Sequence, residues 1–137
     1  MEDAKARRNS LIVFAIALAA LLAGCDTAIL QENDASLSSL VITDSTGTTL
    51  TLSPAFSSTT ISYTATASSS ATLLTAKATP SYSGATVTYE GTMDPSGNYS
   101  IVGSSSTTIN VLVTAANTTA TTTGAPQQTY TVIVSLQ

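Results

Sequence analysis

The stretch Ile109-Asn110-Val111-Leu112-Val113-Thr114-Ala115 carries an apolar side chain at every second position. Period two is the pleat of a β-strand, where successive side chains point to opposite faces. Ile109, Val111, Val113 and Ala115 therefore predict one buried face of a half-exposed strand. The alternation recurs on both sides of this stretch. Tyr130, Val132, Val134 and Leu136 form the last such face; Val87 with Tyr89, then Ile61, Tyr63, Ala65 and Ala67, then Leu50 with Leu52 form earlier ones. Threonine occupies many of the intervening positions, and its branched β-carbon suits a strand while its hydroxyl suits an outward face.

The punctuation between these faces is that of turns. Asp44-Ser45-Thr46-Gly47 separates an opening strand, Leu37 to Ile42, from a second at Thr48 to Ser53, which Pro54 ends because proline cannot donate to a ladder. Pro80 and Ser81-Tyr82-Ser83-Gly84 divide a strand around Leu73 to Ala78 from one at Ala85 to Tyr89. Asp94-Pro95-Ser96-Gly97-Asn98 is a further turn, with proline presetting φ and glycine free to take positive φ. About seven short strands at this spacing predict an all-β fold, an antiparallel β-sandwich of immunoglobulin-like size.

The first 24 residues follow another logic. Lys5, Arg7 and Arg8 precede an unbroken apolar run, Leu11 to Leu22, which fits the hydrophobic segment of an export signal. It is shorter than the roughly 20 residues that a permanent transmembrane helix requires. The small pair Ala23-Gly24 leads directly into Cys25, the only cysteine of the chain. Leu22-Ala23-Gly24-Cys25 resembles the lipobox of a bacterial lipoprotein signal peptide. That resemblance implies a signal helix, cleavage between Gly24 and Cys25, and a diacylglycerol on the Cys25 sulfur, usually with a third acyl chain such as palmitate on its amino group. It divides the chain into a signal peptide at 1–24, a lipidated cysteine with a short tether at 25–36, and the sandwich at 37–137. Two or more acyl chains anchor a protein stably, since each buried methylene contributes about 0.8 kcal/mol. The eleven tether residues Asp26 to Ser36 reach at most roughly 36 Å. An aspartate directly after the lipidated cysteine also resembles the inner-membrane retention signal of enteric bacteria, a rule that varies among bacteria.

Beyond the signal, six acids (Asp26, Glu32, Asp34, Asp44, Glu90, Asp94) face a single base, Lys77. Nucleic acid is excluded as a partner, because binding it needs clustered Lys or Arg. The surface must be wetted by hydroxyls instead, and the whole chain holds 26 Thr and 20 Ser, all but Ser10 beyond the signal.

Leu37 and Leu40, Leu52-Ser53-Pro54-Ala55-Phe56, Thr60 to Tyr63, Gly84-Ala85-Thr86-Val87, Ile109 to Ala115 and Thr129-Tyr130-Thr131-Val132 together resemble the cadherin-like β-sandwich domain of bacterial surface proteins. The likeness covers nearly all of 36–137. It implies Phe56 in the core as a plug between the sheets, with Tyr63 and Tyr130 packing the ends. The stretch Ala115 to Gln128 is longer and richer in threonine than the tight turn such a domain usually has there, and is expected to protrude as a loop.

The family name suggests calcium, yet the acids are scattered and calcium takes six to eight oxygens from clustered carboxylates. Asp94, Ser96 and Asn98 are accounted for by the turn, and no metal is expected. Catalytic residues are also missing. The chain has no histidine, which excludes a histidine-based triad; no Ser-x-x-Lys surrounds Lys77; and Glu90 and Asp94 flank a turn where exposed carboxylates are ordinary. No enzyme activity and no cofactor beyond the covalent lipid are expected. The expected function is that of a cell-envelope lipoprotein, held at the inner or outer membrane and facing the periplasm or the exterior. It would display its sandwich to another envelope protein or a surface polymer, for protein–protein interaction, adhesion or structural support. The alternative is a glycan-binding module using Tyr82 and Tyr99, with Tyr89 a further candidate. Tyr89 is in step with the core residue Val87, and single surface aromatics need no ligand to explain them.

Overall fold

The computed structural model describes residues 32–90, 96–117 and 124–137. The signal helix, Gly24, Cys25 and residues 26–31 of the tether lie outside them, as do Asp94 and residues 118–123. Among the described residues seven strands follow one another: β1 (Leu37–Asp44), β2 (Ser62–Ala67), β3 (Leu73–Pro80), β4 (Thr86–Glu90), β5 (Asn98–Ser100), β6 (Ser106–Thr114) and β7 (Gln127–Leu136). They form a three-stranded sheet in the order β1-β3-β5 and a four-stranded sheet in the order β2-β7-β6-β4.

The period-two faces supply the core. Leu37, Leu40, Ile42, Leu74 and Ala76 of the three-stranded sheet join Tyr63, Ala65, Ala67, Ile109, Val111, Val113, Tyr130, Val132 and Val134 of the four-stranded sheet in one buried cluster. The result is a sandwich-like all-β fold. Each fully buried Val, Leu or Ile contributes about 1.5 to 3 kcal/mol of transfer free energy, so these facing sets hold the two sheets together.

The structure departs from the sequence reading in several places, each with a local cause. The sheets are not wholly antiparallel: β2 runs parallel to β7, from Ser62↔Thr131 to Ala67↔Leu136. Alternation fixes which face of a strand is buried and carries no information on the direction of its neighbour. The strand expected at Thr48 to Ser53 is reduced to two isolated bridges, Thr43↔Thr49 and Ser53↔Thr64. This segment crosses from the edge of one sheet to the edge of the other, so it joins neither ladder at length. Leu50 still points inward, in keeping with the alternation.

Ile61 is 47% exposed, because β2 begins one residue later. Phe56 is half-buried at the margin and does not plug the core; its ring stacks on Tyr63 at 6.1 Å and 24°. Tyr63 and Tyr130 are the large aromatics of the interior. The loop expected to run to Gln128 ends earlier, since Gln127 and Gln128 open β7 and Ala115 N–H donates to Pro126 O at 2.8 Å across its base.

Three-residue β5 has too little sequence to show a period. Gly97 immediately before it holds φ at +81°, and a side chain there would run into Ala76 O and the Tyr89 ring. The free positive φ of glycine and the close backbone approach both explain the residue. Ala76 N–H donates to Gly97 O at 2.8 Å, which carries the turn onto β3.

Candidate interaction surface

Of the residues the sequence singles out, Gly24, Cys25 and Asp94 lie outside the described residues. The three candidate tyrosines are spread across the fold. Tyr82 follows β3 in the turn toward β4, so close over Gly84 that a Cβ on that glycine would stand 2.7 Å from Tyr82 Cε1. Tyr99 lies on β5 opposite Leu74 and packs against the core margin. Leu74 and Pro80 mark opposite ends of β3, about 20 Å apart at the usual strand rise, so Tyr82 and Tyr99 do not form one platform. Tyr89 is inward, and its hydroxyl accepts from Ala78 N–H at 3.2 Å. Among the described residues no three His, Cys, Asp or Glu side chains stand together as a metal cluster. Lys77 is exposed on β3.

Two tyrosine hydroxyls fix one end of the domain. Tyr130 Oη accepts from Leu37 N–H at 3.0 Å and donates to Ser58 O at 2.8 Å, tying β7 to the start of β1 and to the segment before β2. Burial raises its pKa above the ordinary phenol value. Tyr63 Oη lies 2.7 Å from Ser57 O and 2.6 Å from Thr60 O, to which it donates. Asn33, Asp34, Ser58, Gln127 and Gln128 line a polar cavity of about 300 Å³ beside Tyr130. The residues entering β1 lie against this same end: Asn117 N–H donates to Glu32 O at 2.9 Å, and Asn117 Nδ2 to Asn33 Oδ1 at 2.6 Å.

At the opposite end of β1, Asp44 Oδ1 accepts from Thr46 Oγ1 at 2.5 Å, Thr46 N–H at 2.9 Å and Thr48 N–H at 3.0 Å. The Thr46 hydroxyl above all, helped by the two N–H groups, holds the carboxyl pKa below its usual 3.8. This is how a side chain organises a turn by standing in for backbone acceptors. Its effect is to launch Thr48 to Leu50 back along β1, where Leu50 N–H donates to Ile42 O and Thr49 bridges Thr43, before the chain crosses toward β2.

The segment so launched creates the feature that sequence reasoning missed. Between it and the outer edge of β2 lies a groove of about 320 Å³, with Thr48, Thr49, Leu50, Thr51, Ala65 and Thr66 among its walls. One antiparallel pair closes the groove at its inner end: Thr64 N–H donates to Ser53 O and Ser53 N–H to Thr64 O, both at 2.8 Å. The available signal was Pro54, which shows that a ladder stops there but not that the chain changes sheets.

Fold and surface together define a two-sheet, sandwich-like all-β domain with an open strand edge. No family model matches the chain, and no curated protein is significantly similar to it.

Proposed function

We propose that this protein is a lipid-anchored bacterial cell-envelope protein that displays an immunoglobulin/cadherin-like β-sandwich for protein–protein interaction, adhesion or structural support. The observation that carries the display reading is the open outer edge of β2, since an exposed edge offers backbone donors and acceptors to a partner strand. The strand order supports the finer fold. Immunoglobulin-type sandwiches place strands A, B and E in one sheet and C, F and G in the other. In chain order β1, β3 and β5 match the first set and β4, β6 and β7 the second, with β2 an additional strand laid parallel to the last.

The anchor rests on the lipobox at Leu22 to Cys25. Six residues, Asp26 to Gln31, separate Cys25 from Glu32, a reach of at most about 20 Å, so the domain stays near the membrane that holds it. Metabolic labelling with a fatty-acid analogue tests the anchor. The wild-type protein is expected to take up label and Cys25→Ser to remain an unlabelled, uncleaved precursor; an unlabelled wild type refutes it. Protease treatment of intact cells then distinguishes an outward-facing domain, which is cut, from a periplasmic one, which is cut only after the envelope is opened.

A further inference from the structure

We propose that the groove between Thr48–Ser53 and β2 is a docking site for one extended, uncharged peptide segment of a partner protein, which adds to the four-stranded sheet beside Thr66. The direction of the backbone groups carries the argument. Thr131 N–H donates to Ile61 O and Gln137 N–H to Ala67 O, so the odd residues of this stretch turn their main-chain groups toward β7. The even residues turn theirs away, as the pairing of Thr64 with Ser53 demonstrates. Thr66 N–H and C=O therefore face the groove.

The ladder that would satisfy them is broken for an identifiable reason. Continuing the antiparallel register of Ser53↔Thr64 by two residues would set Thr51 against Thr66, and no backbone bond joins them. Leu50 N–H is instead committed to Ile42 O at 2.8 Å, and Thr48 O to Asp44 N–H at 2.9 Å. These bonds hold the segment toward β1 and leave the space beside Thr66 open. A main-chain N–H and C=O at strand spacing is what that edge lacks.

The walls specify the rest of the ligand chemistry. Threonines line the groove together with Leu50 and Ala65, and among the described residues no charged side chain does. A charged residue entering would lose hydration without gaining a counter-charge, so the fitting segment is uncharged. Ser53↔Thr64 blocks the inner end, which limits pairing to a few residues and makes the isolated contact weak, on the order of millimolar. The proposal rests on the display reading for the existence of a partner, whereas peptide binding itself requires only the folded domain.

The test uses the full chain in detergent and the probe peptide acetyl-Ser-Thr-Ala-Thr-Ser-amide, with an analogue N-methylated at its central alanine. Amide exchange is followed by NMR at about 5 mM peptide. The probe is expected to slow exchange at Thr66 by about fivefold, to leave Ser62 on the same edge unchanged, and to lose its effect when N-methylated. Thr66→Pro removes the N–H that faces away from β7 together with the exchange reporter at that position, so its effect is read from the peptide-induced shift changes at Ala65 and Ala67, which it is expected to abolish. Thr51→Arg, at an exposed position, leaves the backbone intact, places a cation in the groove and is expected to do the same. No slowing at Thr66, equal slowing by the N-methylated peptide, or self-association abolished by Thr66→Pro would overturn the proposal, the last by assigning the groove to a second copy. Fatty-acid labelling separates the two readings: labelled protein with no peptide response refutes the groove alone, and a peptide response in unlabelled protein refutes the anchor alone.

Discussion

The two sides of the four-stranded sheet behave differently although both are built from the same alphabet of threonine and small apolar residues. At its centre every residue of β6 is matched on β7, from Ser106↔Ser135 to Thr114↔Gln127, and the inward positions Ile109, Val111, Val132 and Val134 are fully buried. At its β2 edge the same alternation gives a properly buried inner face, Tyr63, Ala65 and Ala67, but a single closed backbone pair outside it. Side-chain pattern settles burial on both sides. Closure of the ladder depends on where the neighbouring chain is sent, and here the Asp44 turn sends it elsewhere.

The largest expected effect lies at the centre. Ile109→Ala should lower stability by roughly 3 kcal/mol, the usual range for truncating a fully buried aliphatic side chain, measured by urea unfolding. A loss no larger than that of an exposed substitution would remove the contrast between centre and edge. A smaller effect of opposite sign is expected at Thr107, which shares the inward face of β6 but has a buried hydroxyl with no hydrogen-bond partner. Replacing it with the similarly shaped valine should raise stability by about 1 kcal/mol, because an unsatisfied buried hydroxyl costs free energy. Destabilisation by Thr107→Val would show that the hydroxyl is satisfied after all.

The smallest effect is a pH dependence at the turn that opens the edge. The Asp44 pKa is depressed in the folded state, so its contribution is present above the unfolded value and is lost as pH falls below 3.8 through the folded pKa. Asp44→Asn keeps an acceptor oxygen and removes the titration. Its urea midpoint should accordingly fall less than that of the wild type on acidification, and parallel curves would dissociate Asp44 from the turn's stability.

The core was legible in the chain because burial of one face imposes period two, and Leu40 to Ile42, Tyr63 to Ala67, Ile109 to Val113 and Tyr130 to Val134 all obey it, whereas Leu37 is buried out of step because the β1 register shifts between Leu37 and Ser39. The edge was not. No local signal distinguishes a parallel neighbour from an antiparallel one, as β2 shows, and Leu50 and Leu52 alternate equally well in a strand and in a segment that changes sheets. Phe56 has the composition of a core residue, yet it lies in the irregular run before β2, where it can cover Tyr63 without entering the interior. Tyr82 and Tyr99 looked equivalent because both adjoin turns; only the register of β3 with β5 separates them.

The most direct measurement is residue-resolved amide exchange of the full chain in detergent. An open β2 edge beside a closed pair predicts slow exchange at Ser53 and Thr64, slow exchange through the centre at Ile109 and Val132, and fast exchange at Thr66. Protection of Thr66 equal to that of Thr64 would mean that the ladder is closed, and the account of an edge left free for a partner would be contradicted.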